Sequence, residues 1–138
     1  MDRVLVAMDG SALSRRALEY GLETYPNAEI TVIHVVGEPT PMMGEIVGLA
    51  LEDDLPAAAE ERADAVFESA REIAAEHDRK IETTVAVGNP ARTIVKRAEE
   101  FDTVVVGSHG GSFLDRLFVG NVAETVVRRA PVPVTVVR

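Results

Sequence analysis

Five short segments of the chain are dense in valine, isoleucine and leucine: Val4–Met8, Glu29–Val36, Ile81–Val87, Asp102–Val106 and Val132–Val137. Each has Gly, Pro or Asp immediately at one end. Short apolar runs of this kind read as strands buried on both faces. Between them the apolar positions recur every three or four residues, the period of a helix with one buried face. After the first strand, Ser11 is a suitable N-cap, Leu13, Ala17, Tyr20 and Gly21 supply one face, and Pro26-Asn27 ends the helix. Pro56 opens a long helix to about His77, with Ala59, Ala63, Val66, Ala70, Ile73 and Ala74 inward. Its Glu60, Glu61, Glu68 and Glu72 recur without an interleaved histidine, so they read as a solvated face rather than a metal site. Gly88-Asn89-Pro90 turns into a third helix, with Asn89 as N-cap and Pro90 at its first position. That helix packs through Ala91, Ile94, Val95 and Ala98. A fourth carries Val122, Ala123, Val126, Val127 and Ala130 and stops at Pro131.

Strands alternating with helices predict a doubly wound α/β fold. The expected architecture is Rossmann-like: an open, parallel, five-stranded sheet of order 3-2-1-4-5, helices on both faces, and a single domain over residues 1–138. Such sheets bind ligands outside the carboxyl ends of their strands, where the strand order reverses. That point lies between the first and fourth strands and sets Asp9 across from Gly107. The long connection from Gly37 to about Asp54 has room for a short helix at Glu45 to Leu51. Its Met42 and Met43 read equally as cover for a ligand and as packing at the solvent edge. His34, alone inside the second strand, reads as a satisfied core residue rather than a ligand or base.

The stretch VVVGSHGGSFLDRLFVGNV, Val104 to Val122, is a strand, a glycine-rich loop and a helix start. Helix starts carry unpaired N–H groups and attract anions, and glycine lets a ligand approach the backbone. A carboxylate beside such a loop can hold a ribose hydroxyl while the helix start holds phosphates. The spacing is neither GxxxxGK[ST] nor GxGxxG. It runs Gly107-x-x-Gly110, nine residues, then Gly120-Asn121.

This spacing resembles the ATP-binding signature of the universal stress protein family. VLVAMDGSALSRRAL, TVIHVV, the GNPA turn and VRRAPVPVTVV resemble that family in the same order, over nearly the whole chain. The resemblance implies ATP, with or without magnesium, bound in the crevice, and a homodimer joined through the C-terminal strand. It implies that Asp9 and Gly107 hold the ribose and adjoining adenosine and that backbone at Val36 meets the adenine. His109, Gly110, Gly120, Asn121 and Val122 would surround the phosphates. The nucleotide-binding members usually have Ser or Thr where Asn121 stands; the Asn amide can also donate to phosphate, or can cap the helix.

Cysteine is absent, which excludes disulfides and thiol catalysis. A formal net charge of −9 disfavours nucleic acid and anionic membranes as partners. With no leader and no long apolar stretch, a cytoplasmic protein is expected. Lys80 and Lys96 are the only lysines, and acidic residues cluster from Glu52 to Asp78. That balance suits a high-salt cytoplasm and equally a GC-rich genome. Efficient phosphoryl transfer needs strong charge stabilisation. No lysine and no pair of magnesium carboxylates stand near the loop in sequence, so no catalytic residue is assigned. The leading expectation is a nucleotide-binding regulatory protein with at most slow hydrolysis. The alternatives are an adenylate-transferring or hydrolysing enzyme and a protein–protein module without nucleotide.

Overall fold

β-Branched residues fit the pleated, doubly covered surface of a parallel sheet, and here they build one. The structure, a computed structural model, describes residues 2–37, 57–108 and 121–138. The expected helix at Glu45 to Leu51, Met42, Met43, His109, Gly110 and Gly120 lie outside the described residues. In chain order the elements are β1 (Arg3–Ala7), α1 (Ala12–Thr24), β2 (Glu29–Val36), α2 (Ala57–Glu76) and β3 (Glu82–Val87), then α3 (Pro90–Ala98), β4 (Thr103–Gly107), α4 (Asn121–Arg129) and β5 (Val134–Val137). The sheet is parallel throughout, in the order β3-β2-β1-β4-β5. This is the expected 3-2-1-4-5 fold.

Side chains alternate across the sheet and define two cores. Val4, Val6, Met8, Ile30, Val32 and Val105 pack with the inner faces of α1 and α2. Leu5, Ile33, Val104 and Val106 pack with Ile94 and Ala98 of α3 and Ala123 and Val126 of α4. A fully buried Leu or Ile on such a face is worth about 1.5–3 kcal/mol of transfer free energy.

Local chemistry sets the helix starts. The Ser11 hydroxyl accepts from the Ser14 N–H at 3.1 Å, and Asn89 Oδ1 accepts from the Arg92 N–H at 3.0 Å, with Pro90 in the first turn. Two apolar faces differ from expectation. Along α1 the buried stripe runs through Leu13, Ser14, Ala17, Leu18, Gly21 and Leu22, and Tyr20 is exposed. At 3.6 residues per turn Tyr20 falls more than a quarter-turn from the centre of that stripe. On α4 only Ala123 and Val126 are buried, while Val122 and Val127 are exposed. The final strand starts at Val134 rather than Val132. Pro133 has no N–H to give, but its carbonyl accepts from the Val104 N–H at 3.0 Å and the Thr103 hydroxyl at 2.8 Å.

The amino end of the sheet is tied by two polar clusters. The Asp102 carboxylate accepts from the N–H groups of Asp2 and Arg3, both at 2.9 Å, and the Arg3 guanidinium lies over the Phe101 ring. Arg79 donates to the carbonyls of Leu22, Tyr25 and Ala28. Among the described residues no helix is long and apolar enough to cross a membrane.

Candidate functional site

The carboxyl end of the sheet opens where pairing stops. β1 pairs with β4 from Val4–Thr103 only as far as Val6–Val105, while β4 continues to Gly107. On its other side β1 pairs with β2 as far as Ala7–Ile33. Past Val6 the pairing of β1 with β4 stops, and past the Met8 N–H, which donates to the Ile33 carbonyl, so does that with β2. This is the reversal of strand order, where doubly wound sheets have their ligand crevice.

Asp9 stands on the β1–α1 turn at this crevice. Its Oδ1 accepts from the Ser11 N–H at 2.9 Å, an Asx turn that fixes the side chain. Gly10 sits at φ +87°, a left-handed conformation that favours glycine. Its carbonyl accepts from Arg15 Nη1 at 3.1 Å. Ser11 caps α1 from the next position, and the Ser14 hydroxyl donates back to the Ser11 carbonyl at 2.9 Å. The carboxylate therefore projects from a turn whose backbone is held at several points, and it is exposed.

Gly107 is the last residue of β4 and lies in register with Val137. The Ser108 N–H donates to the Val137 carbonyl at 2.8 Å, and the residue is buried, so the chain stays on the sheet until the glycine loop begins. Asn121 and Val122 open α4 and are exposed. The helix runs back against the strand direction, as a crossover must, so its first N–H groups lie at the carboxyl end of the sheet.

Val36 is also at this end, but its backbone is turned away. Its carbonyl accepts from the Gly88 N–H at 2.9 Å. In a parallel strand the N–H and C=O of one residue point to the same neighbour, and successive residues alternate. Val36 therefore faces β3, and Val35 faces the β1 side. Extending the Ala7–Ile33 register by two residues sets Val35 opposite Asp9. The sequence did not single out Val35, because two adjacent valines in one strand are told apart only by the neighbour each one faces. Of the expected site residues, Asp9, Gly107, Asn121 and Val122 lie at the carboxyl end around the crevice. Val36 lies there facing β3, and His109, Gly110 and Gly120 fall outside the described residues.

The described groups with shifted titration lie at the other end of the sheet. The Ile73 carbonyl and then Glu23 raise the His77 pKa, and the N–H groups of Arg3 and Asp2 hold Asp102 low.

The model of the universal stress protein family matches residues 1–138. Universal stress protein YxiE of Bacillus subtilis (strain 168) is 32% identical over 146 residues, covering 99% of each chain. The structure of universal stress protein UspA from Lactobacillus plantarum superposes with a TM-score of 0.79 at 26% identity, covering 99% of this chain and 97% of that one. The universal stress protein from Archaeoglobus fulgidus, solved in complex with dAMP, has a TM-score of 0.69 at 22% identity, covering 100% of this chain and 98% of that one.

Proposed function

Because the chain belongs to the universal stress protein family, we propose that the crevice beside Asp9 binds an adenine nucleotide, ATP foremost, and that the protein is a nucleotide-dependent regulator with at most slow hydrolysis. The observation that carries this reading is the early end of β1–β4 pairing, which opens the sheet between Asp9 and Gly107. The Archaeoglobus relative's complex with dAMP supports the nucleotide class.

In this reading the Asp9 carboxylate takes a ribose hydroxyl, while Gly107 lets the sugar lie close to the backbone. The start of α4, with Asn121 and Val122, receives phosphate through unpaired N–H groups and the positive end of the helix dipole. His109, Gly110 and Gly120 complete the phosphate loop on the strength of their spacing in the sequence. The base falls to Val35 rather than Val36. Adenine offers a donor and an acceptor on its Watson–Crick edge, and a strand residue facing an absent neighbour presents one N–H and one C=O.

Mass spectrometry of the small molecules released from heat-denatured protein tests this directly, followed by calorimetry with ATP, ADP and AMP. Adenine nucleotide is the expected release, and saturable ATP binding is the expected titration. No release and no binding would leave a protein–protein module of the same fold. Timed turnover with magnesium ATP tests the regulatory role: product forming at many cycles per second would make the protein an enzyme.

The same reading includes a homodimer through β5. That strand is an edge of the sheet, half-buried along its length, with Val134 and Val136 packing on one face. An apolar edge is a surface that proteins cover, and a second copy about a two-fold axis covers it in a self-complementary way. Light scattering at tens of micromolar, in buffer matched to native salt, is expected to give twice the mass of the 14.9 kDa chain. The mass of one chain would refute the pairing.

A further inference from the structure

His34 is buried, as a core histidine should be, but the atom that satisfies it has a consequence for the crevice. Its Nδ1 lies 2.9 Å from the carbonyl oxygen of Met8, the residue just before Asp9. A carbonyl only accepts, so Nδ1 carries the hydrogen. The ring is held edge-on by Phe67 of α2, with centroids 6.4 Å apart and planes at 87°.

The parallel ladder explains why this bond matters. The Met8 N–H donates to the Ile33 carbonyl at 2.9 Å, which is the last backbone rung between β1 and β2. By the alternation of a parallel ladder, the next rung would run from the Val35 N–H to the Met8 carbonyl. The imidazole of His34 takes that carbonyl instead.

We infer that His34 is a positioning residue for nucleotide binding: it caps the Met8 carbonyl, ends the β1–β2 ladder, and leaves the backbone of Val35 to meet the base while Asp9 turns toward the ribose. The inference rests on the nucleotide reading for its consequence, and on the ladder alone for its structural content. A buried side-chain donor at this one carbonyl sets where β1 parts from β2, and therefore how far the base site is from the ribose site.

Three measurements test it. In nucleotide-free protein, long-range nitrogen–proton correlations of the imidazole should show hydrogen on Nδ1 of His34; hydrogen on Nε2 alone would overturn the inference. Amide hydrogen exchange should be much faster at Val35 than at Ile33. In His34→Phe, which keeps a ring against Phe67 but has no donor, the Val35 amide should slow at least about tenfold as it takes the freed carbonyl. His34→Asn keeps a donor and should leave Val35 fast. With nucleotide, His34→Phe should bind ATP about tenfold more weakly, the worth of about one hydrogen bond, and should lose preference for ATP over GTP. His34→Asn should restore both. Unchanged Val35 exchange in His34→Phe would overturn the inference whatever the affinity; should that variant fail to fold, His34→Leu carries the same comparison. If wild-type protein binds no nucleotide, the functional reading fails, while the tautomer and exchange results still decide the role of His34 in the ladder.

Discussion

Replacing Arg79 should unfasten one end of the molecule and leave the other end working. Its guanidinium reaches across from the end of α2. Nη1 donates to the Leu22 carbonyl at 3.0 Å, and Nη2 to those of Tyr25 at 3.2 Å and Ala28 at 2.7 Å. These carbonyls close α1 and lead into β2. The Leu22 carbonyl is one that the end of α1 leaves without a backbone partner, since Pro26, four residues on, has no N–H. The Tyr25 carbonyl also accepts from the Ala28 N–H at 3.2 Å. The arginine is placed by the α2 terminus, where Asp78 adopts φ +55° and the Arg79 N–H returns to the Ala74 carbonyl at 2.8 Å. Each bond contributes about 1 kcal/mol net, with the charge of the donor raising that figure and its half-exposure lowering it, so Arg79→Ala should cost about 3 kcal/mol. For a chain of this size that is a fall of about 10 °C in Tm. A lysine has no planar fork and reaches fewer of the three carbonyls, so Arg79→Lys should lose about half as much. Urea titration measures the loss, and ATP calorimetry on the folded variant provides the contrast. The clamp is at the amino ends of the strands and the crevice at their carboxyl ends, so affinity should stay within a factor of about two. A loss below about 1 kcal/mol would show that water satisfies these carbonyls equally well, and the clamp argument would fail.

Other outcomes follow from the same geometry. Asp78→Gly removes the left-handed strain on a side-chain-bearing residue and should stabilise the protein by about 1 kcal/mol in urea; no gain would mean that the Asp side chain holds the turn. Asp9→Asn keeps an oxygen for the Ser11 N–H but removes the charge; ATP affinity should fall about tenfold with Tm unchanged, and equal affinity would remove Asp9 from the ribose site. Gly10→Ala finds room, with its Cβ 3.4 Å from Val66 Cγ2, but φ +87° should cost about 1–2 kcal/mol; a loss within error would mean that the turn relaxes. Stability should also vary with pH at the amino end of the sheet. The raised pKa of His77 gives a contribution that is full below the ordinary histidine value of 6.5 and fades as pH rises through the higher folded value. The lowered pKa of Asp102 gives one that is present above the ordinary 3.8 and is lost as pH falls through the lower folded value. His77→Gln and Asp102→Asn should flatten urea stability in those two windows, and unchanged profiles would contradict both assignments.

Much of this protein was set by the order of its residues. Apolar runs with β-branched residues fix the strands, Ser11 and Asn89 fix helix starts, and alternating strands and helices leave a right-handed, doubly wound sheet as the natural arrangement. That arrangement alone puts Asp9 and Gly107 at the switch point. The faces of α1 and α4 were less legible, since a helical period marks a stripe but not its width. Tyr20, Val122 and Val127 are apolar or aromatic residues whose exposure depends on how much of each helix the sheet covers. What only the tertiary structure decided is how the two neighbouring valines at the end of β2 differ. Val36 gives its carbonyl to Gly88, and Val35 faces the side where β1 has ended. No local property separates them, because the direction of a backbone N–H in a sheet is fixed by register with other strands. His34 belongs to the same class: the sequence marks a buried histidine, but its partner is a carbonyl 26 residues earlier in the chain. That contact exists only after β1 and β2 have paired.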